Sequence, residues 1–225
     1  MSLRSLLLIS STSLVALSAA DSTAWAVSHG QSQMHASVVV SMPIDSNVKI
    51  AGADQEWDDA LRVELSYLFL LPEENGFIPY GEGYLYYEDR TWSEGASQLD
   101  YDSLGAGIGG GGIYNFFKTK GVALGVAPFA RIGLGSQDGR VTGLSVSDYT
   151  AEGNGGDWRW ELGVGADATL GLGKRFMLRA GVSWQYWQGE SYILKYTDSN
   201  DDVEYRSDSL DGTDVMARLG AGITF

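Results

Sequence analysis

From residue 34 onward the chain alternates apolar positions with polar or small ones, again and again. The last thirteen residues, Thr213 to Phe225, show this most plainly. Val215, Ala217, Leu219, Ala221, Ile223 and Phe225 make one face; Met216, Arg218, Gly220, Gly222 and Thr224 make the other. A period of two is the signature of a strand. The same pattern predicts strands over Met34–Met42, Asp59–Leu71, Phe77–Tyr87, Ser103–Phe117, Val122–Gly135, Trp158–Gly171 and Phe176–Trp187. The third of these is the least regular. If Glu82 points inward, so do Ile78, Tyr80, Tyr84 and Tyr86, and a bulge would change that assignment midway. Pro128 removes a ladder donor within the fifth and predicts a local irregularity there.

Eight strands with alternating short and long connections follow. Short turns are expected at Pro72–Gly76, Lys118–Gly121 and Gly171–Arg175, and long connections over 43–58, 88–102, 136–157 and 188–212. An even strand count, with short turns on one rim and long loops on the other, is the plan of a barrel that crosses a bilayer. The fold class read from the pattern is therefore all-β, an eight-stranded antiparallel up-and-down transmembrane β-barrel.

The charges give the sidedness. Arg62, Glu64, Glu82, Arg131, Arg159, Glu161, Asp167, Arg179 and Arg218 are the ionisable residues borne by strands, and all but the ambiguous Glu82 lie opposite the apolar stripe. Slipping a strand by one residue would move its Arg into hydrocarbon, at roughly 2–4 kcal/mol near the midplane. A soluble ligand-binding barrel should invert this arrangement, with charge outside and an apolar cavity within. The inward set is near charge balance, so we expect a lumen closed by ion pairs; an open small channel is the alternative. Trp158, Trp160, Trp184, Tyr186, Trp187, Tyr67, Tyr114 and Phe116 fall near strand ends, as interfacial aromatic girdles do. Glycines 109–112 lack the Lys-Ser/Thr of a phosphate loop and are better read as facing a crowded lumen.

Composition sharpens the picture. The chain of 225 residues has 30 Gly, 4 Pro and no Cys, and its formal net charge of −14 argues against nucleic acid as a partner. Residues 1–20 read as a signal peptide: Arg4, a short apolar run broken by serines, then Ser18-Ala19-Ala20, with Ala24-Trp25-Ala26 as a later cleavage candidate. Residues 21–33 would be a short periplasmic segment and residues 34–225 the barrel. The long connections hold the acidic excess and are placed to share divalent cations with lipopolysaccharide. Asp198, Asn200 and Asp202 are spaced like the start of a calcium loop, but Val203 stands where its glycine should be and Ser209 where its distal Glu should be. Tyr192–Tyr196 and Val203–Tyr205 are positioned to carry the last two strands above the membrane as a hairpin, whose edge is able to recruit a partner strand. Only His29 and His35 are available as general bases, both near the predicted periplasmic end, which disfavours a lipid-modifying enzyme acting in the outer leaflet.

The leader, the eight alternating segments, the loop asymmetry and the ending Arg218-Leu219-Gly220-Ala221-Gly222-Ile223-Thr224-Phe225 together resemble the small outer-membrane β-barrel family that includes the OmpA membrane domain, OmpX and the opacity-type proteins. The resemblance covers Met34 to Phe225. It implies the outer membrane of a Gram-negative-type bacterium, and Phe225 as the signal read by the barrel-assembly machinery. It further implies contact with outer-membrane lipid and lipopolysaccharide, and a surface protein or host ligand met through the long loops. No cofactor is expected, and because the sequence ends at Phe225 the peptidoglycan-binding domain that follows some members of that family, with the cell-wall anchoring it provides, is not expected either. Structural and adhesive roles are both known within that family, so it leaves the activity open.

Overall fold

The computed structural model describes residues 32–50, 53–94, 97–146, 149–155, 158–189, 192–198, 202–208 and 210–225. The signal peptide, most of the segment 21–33, His29 and Asn200 lie outside the described residues.

Twelve strands form one sheet. Eight of them make the wall: β1 (Gln33–Ile50), β3 (Asp59–Leu70), β4 (Phe77–Glu94), β5 (Ser97–Lys118), β6 (Val122–Val146), β8 (Trp158–Leu172), β9 (Phe176–Gly189) and β12 (Asp211–Thr224). Each pairs antiparallel with its successor in that order. β12 then returns to β1 from His35↔Thr224 up to Lys49↔Asp211, which closes the ring. At the lower rim the Phe225 N–H donates to the Met34 carbonyl at 2.9 Å. Among the described residues no helix is long and apolar enough to cross a membrane, a statement that does not bear on crossing by strands.

The turns on the lower rim are tight for local reasons. Asn75 and Gly76 both take positive φ, 52° and 82°, as a two-residue hairpin turn requires. At the next turn the Thr119 N–H donates to the Val122 carbonyl at 2.8 Å. Gly173, at φ 62°, reverses the chain between β8 and β9.

The upper rim differs from expectation. The connections expected over 43–58, 88–102, 136–157 and 188–212 are largely strand. β4, β5 and β6 continue upward well past the apolar belt, and four short strands fill the rest: β2 (Ala53–Gln55), β7 (Tyr149–Gly155), β10 (Tyr192–Asp198) and β11 (Val203–Asp208). β2 pairs with β1. β7 pairs with the upper end of β6, β10 with β7, and β11 with β10. The hairpin expected over Tyr192–Tyr205 is present, but it joins β7 from a different connection rather than prolonging β9 and β12. Alternation fails as a signal here because strands above lipid no longer need an apolar outer face. Asp89, Thr91 and Ser93 face out while Glu88, Arg90 and Trp92 face in. Pro128 brings the local irregularity expected of it without a slip: β6 pairs with β8 straight through it, whereas towards β5 the ladder steps from Gly111↔Phe129 to Tyr114↔Val126 in unchanged register, and the β5–β6 shift comes lower, between Asn115 and Phe117.

The outward face between the rims is apolar and bare, with Val38, Leu65, Leu85, Leu104, Ile108, Ile132, Val164, Val182 and Leu219 all exposed. An apolar girdle this complete is stable only in a bilayer. The inward face of β5 is glycine because β4 fills the space opposite. A Cβ at Gly107 would coincide with the Tyr84 ring, and one at Gly105 would lie 2.5 Å from the Tyr86 ring.

Gly107→Leu should therefore abolish assembly, since neither the Tyr84 ring nor the backbone carbonyl of Ile132 is able to yield. Gly81→Ala, which meets nothing within 4 Å, should assemble normally. Heat-modifiable mobility on a gel distinguishes the two.

Candidate functional site

The interior is built in layers. Nearest the outer rim, Val48, Trp57, Trp92, Leu99, Tyr101, Val141, Trp187 and Leu210 pack as one buried apolar cluster. At the periplasmic end Leu68, Leu70, Ile78, Tyr80, Ile113, Phe129 and Met177 form a second. Between these plugs lie six arginines and six carboxylates, all buried: Arg62, Arg90, Arg131, Arg159, Arg179 and Arg218 with Glu64, Glu82, Glu88, Glu161, Asp167 and Asp214.

The upper part of this lattice is densely bonded, with Arg131 Nε and Nη2 and Arg159 Nε left without an acceptor among the described residues. Arg62 grips Glu161 with both terminal nitrogens, at 2.8 and 2.7 Å, and gives its Nε to Glu64 at 2.6 Å. Its Nη1 also reaches Glu88 at 3.2 Å. Arg159 joins Glu88 and Glu161, each at 3.0 Å, and donates to the Tyr101 hydroxyl at 2.8 Å. Arg131 holds both oxygens of Glu64, at 2.9 and 2.8 Å. Arg90 takes Asp214 as a two-pronged pair, at 2.9 and 2.7 Å, and also bonds Glu88. Glu161 further accepts from Tyr84 at 3.0 Å and from Gln185 at 2.7 Å, and Asp214 accepts from the Trp187 indole at 3.0 Å. The guanidiniums stack on aromatic faces, most closely Arg62 on Tyr86, at 3.9 Å to the ring centre.

The lower part is looser. Arg179 donates Nε to Asp167 at 2.9 Å and stands 3.8 Å from Glu82, which Ser66 also bonds. Arg218 lies 3.4 Å from Asp167 and 3.7 Å from Glu64, and rests over Phe129 at 4.7 Å. Among the described residues none of its three nitrogens has a hydrogen-bond partner.

All nine strand-borne charges named from sequence thus converge in one lumen, Glu82 included: β4 keeps a single register along Phe77–Glu94 and turns Ile78, Tyr80, Tyr84 and Tyr86 inward. Glu88, Arg90 and Asp214 were missed. The first two sat in a stretch taken for loop, and Asp214 sits at the head of β12, just above the stripe. Trp187 is corrected: it lies in the lumen, fully buried, not in a girdle. Its parity with Arg179, Ser183 and Gln185 was the available signal. Trp158, Tyr67, Tyr114 and Phe116 do face out. His35 is buried at the periplasmic end, its Nδ1 3.1 Å from the Thr224 hydroxyl. Phe225 is exposed on the outer wall. Asp202 is exposed, and among the described residues no group of three His, Asp or Glu side chains is placed to hold a metal.

On the outer wall, just above Tyr87 and Trp158, three aspartates stand directly opposite one another across three strands, Asp89↔Asp102 and Asp102↔Asp138. Partial burial, then Asp102, Asp59 and Asp100, raise the Asp89 carboxyl above the ordinary aspartate range.

A closed antiparallel ring with a bare apolar wall, an ionic interior and tight turns on one rim is the architecture of the small outer-membrane β-barrels. No model of a known protein family matches the chain, and no curated protein matches it. Solved structures do resemble it. The attachment invasion locus protein Ail of Yersinia pestis is 16% identical, with 87% of this chain and 99% of that one covered and a TM-score of 0.47. Neisserial surface protein A is 13% identical, with 87% and 99% covered and a TM-score of 0.43. The outer membrane protease OmpT of Escherichia coli is 9% identical, with 86% and 96% covered and a TM-score of 0.49.

Two predictions follow from the unequal layers and the aspartate row. Arg62→Met leaves Glu161, Glu64 and Glu88 short of a cation and should cost about 3–5 kcal/mol in urea unfolding. Arg218→Met removes a cation without hydrogen bonds and should cost under about 1 kcal/mol, or stabilise. Because folding raises the Asp89 carboxyl, its contribution to stability is present below the aspartate value of the unfolded chain and is lost as pH rises through the folded value. Asp89→Asn should therefore raise the free energy of urea unfolding at neutral pH by an amount typical of a relieved like-charge pair, about 0.2–1 kcal/mol, and leave it unchanged in acid.

Proposed function

We propose that this outer-membrane barrel is a non-conducting, non-enzymatic surface-interaction protein. The membrane ring acts as a rigid plinth, and the sheet of β6, β7, β10 and β11 above it is the working surface. The observation that carries this reading is the sealed lumen: two apolar plugs enclose a charge-balanced lattice of bonded arginines and carboxylates. An eight-stranded ring has only enough interior for side chains, and here they fill it with pairs that are costly to part. The partners in this reading are the lipid and lipopolysaccharide around the apolar belt, the assembly machinery at the strand ending in Phe225, and a surface protein or host ligand at the outer sheet.

The channel alternative needs a continuous wet path, which Trp187 and Leu99 above and Leu68 and Ile78 below would have to vacate. The enzyme alternative needs a base at the outer rim, whereas His35 is enclosed at the periplasmic end against Thr224. Planar-bilayer recording on the purified protein should show no steady conductance at neutral pH. A reproducible open level in the unmodified protein would reverse the assignment.

A further inference from the structure

The short turns of the lower rim run against the charge of the rest of the chain. The sequence has 15 cations and 29 acids. Yet Lys118, Lys120, Lys174 and Arg175 fall in or beside two turns that contain no acid at all. β6 pairs with β8 down to Val122↔Leu172, so these two turns stand side by side. The Gly173 N–H donates to the Gly121 carbonyl at 2.8 Å and ties one to the other. The second turn is also anchored to β12, because the Arg175 carbonyl accepts from the Thr224 N–H at 2.6 Å. Lys118 is held by Glu73 of the remaining turn, at 2.6 Å. Lys120, Lys174 and Arg175 are exposed, and among the described residues their side chains have neither an ion-pair nor a hydrogen-bond partner.

Their depth is set by the wall above them. Phe116, Phe117 and Leu172 are exposed at the foot of the apolar belt. Lys120 comes three residues after Phe117, and Lys174 two after Leu172. Extended chain advances about 3.3 Å per residue, and the headgroup layer on one side of a bilayer is about 5–8 Å deep. The three cations therefore stand at the level of lipid phosphates, with long stems that reach along the surface while the charge stays in water.

We propose that Lys120, Lys174 and Arg175 form a docking site for the headgroup of an anionic phospholipid in the periplasmic leaflet. A phosphate takes two hydrogen bonds at once from a guanidinium fork and point-charge attraction from the two ammoniums. The acyl chains of the same molecule lie against the exposed apolar side chains above. A choline headgroup fits less well, since its own cation meets three others. No soluble anion uses both the charges and the apolar foot of the wall. The opposite interface refuses the same lipid: there the aspartate row Asp89, Asp102 and Asp138 faces outward. The barrel thus binds this lipid at one end only, independently of any partner at the outer sheet.

The folded protein in neutral detergent, loaded with phosphatidylglycerol or with phosphatidylcholine and then washed, should retain the former at least fivefold more, read as lipid-bound mass by native mass spectrometry. Lys120→Gln, Lys174→Gln and Arg175→Gln should each lower phosphatidylglycerol retention by about fivefold, the loss expected of one charge at an anionic surface. The triple variant should hold the two lipids equally. Lys118→Gln, already paired, and Lys195→Gln, a cation of the outer end, should change retention by less than about twofold. Raising salt from about 0.1 to about 1 M should erase the preference. Equal retention of the two lipids by the unsubstituted protein would overturn the proposal. So would unchanged preference in the triple variant while it keeps heat-modifiable mobility, or a loss in Lys195→Gln as large as in Lys120→Gln. Complete displacement of phosphatidylglycerol by excess inorganic phosphate would also overturn it, since the site would then belong to a free anion.

Discussion

Hydrocarbon offers no water to a strand edge, and this single constraint shapes the molecule. Each unpaired backbone amide in the bilayer would cost several kcal/mol, so the sheet has to close on itself. The β1–β12 ladder, from His35↔Thr224 upward, is the seam that does so. Closure then forces the division of side chains. Every strand now has one face in lipid and one in a space too narrow for bulk water. An ionised group on the first face is in hydrocarbon, and on the second it needs a partner of opposite sign. The pairing of Arg62 with Glu161, and the five further arginine–carboxylate balances around it, are the consequence of a closed wall rather than a separate design.

That consequence explains which parts of the structure could be read from the chain. Where a strand lies in lipid, the parity of one arginine fixes the facing of the whole strand. Arg62, Arg131, Arg159, Arg179 and Arg218 placed five of the eight without ambiguity, and Glu82 placed another once β4 proved free of a bulge. The rule expires where lipid does. At Asp89 and Asp102 the outer face turns polar, and alternation no longer separates strand from loop. Glu88, Arg90 and Asp214 were lost for that reason, although they complete the lattice. The pairing of β7 with β10 was unreadable for a different reason. It joins two connections far apart in sequence, Lys195↔Glu152 and Tyr196↔Ala151, and no local period encodes a contact of that span. The isolated glycines were readable only in part. The run 109–112 signalled crowding, but only the register of β5 on β4 shows that tyrosines crowd Gly105, Gly107 and Gly111, while Gly112 meets the outward Phe77 ring.

The lumen is not uniform, and the difference follows from what each half has to hold. The upper half carries four arginines threaded among aromatic faces, with nearly every terminal nitrogen bonded. The lower half spreads Arg179 and Arg218 over fewer carboxylate oxygens, and small residues such as Ser37, Ser41, Ser183 and Gly220 line it. Buried polar atoms without a protein partner concentrate here: Arg218 Nη1, Arg179 Nη1, Asp167 Oδ1, Glu82 Oε2 and the three serine hydroxyls. Both donors and acceptors are in want, which is the chemistry that buried water satisfies and a lone anion does not. The ceiling of the lumen is thus the more closely bonded ion lattice, and its looser floor is closed by the apolar layer of Leu68, Leu70 and Ile78.

Outside the bilayer the constraint relaxes, because water satisfies an edge that lipid would not. The same chain that abolishes every edge within the membrane exposes one above it. An exposed edge is ordinarily a hazard, tolerated when charges or prolines blunt it. β11 carries charged residues on either side of Tyr205, Glu204 and Arg206, and charge along an exposed edge is one of the means by which water-facing sheets resist unwanted pairing.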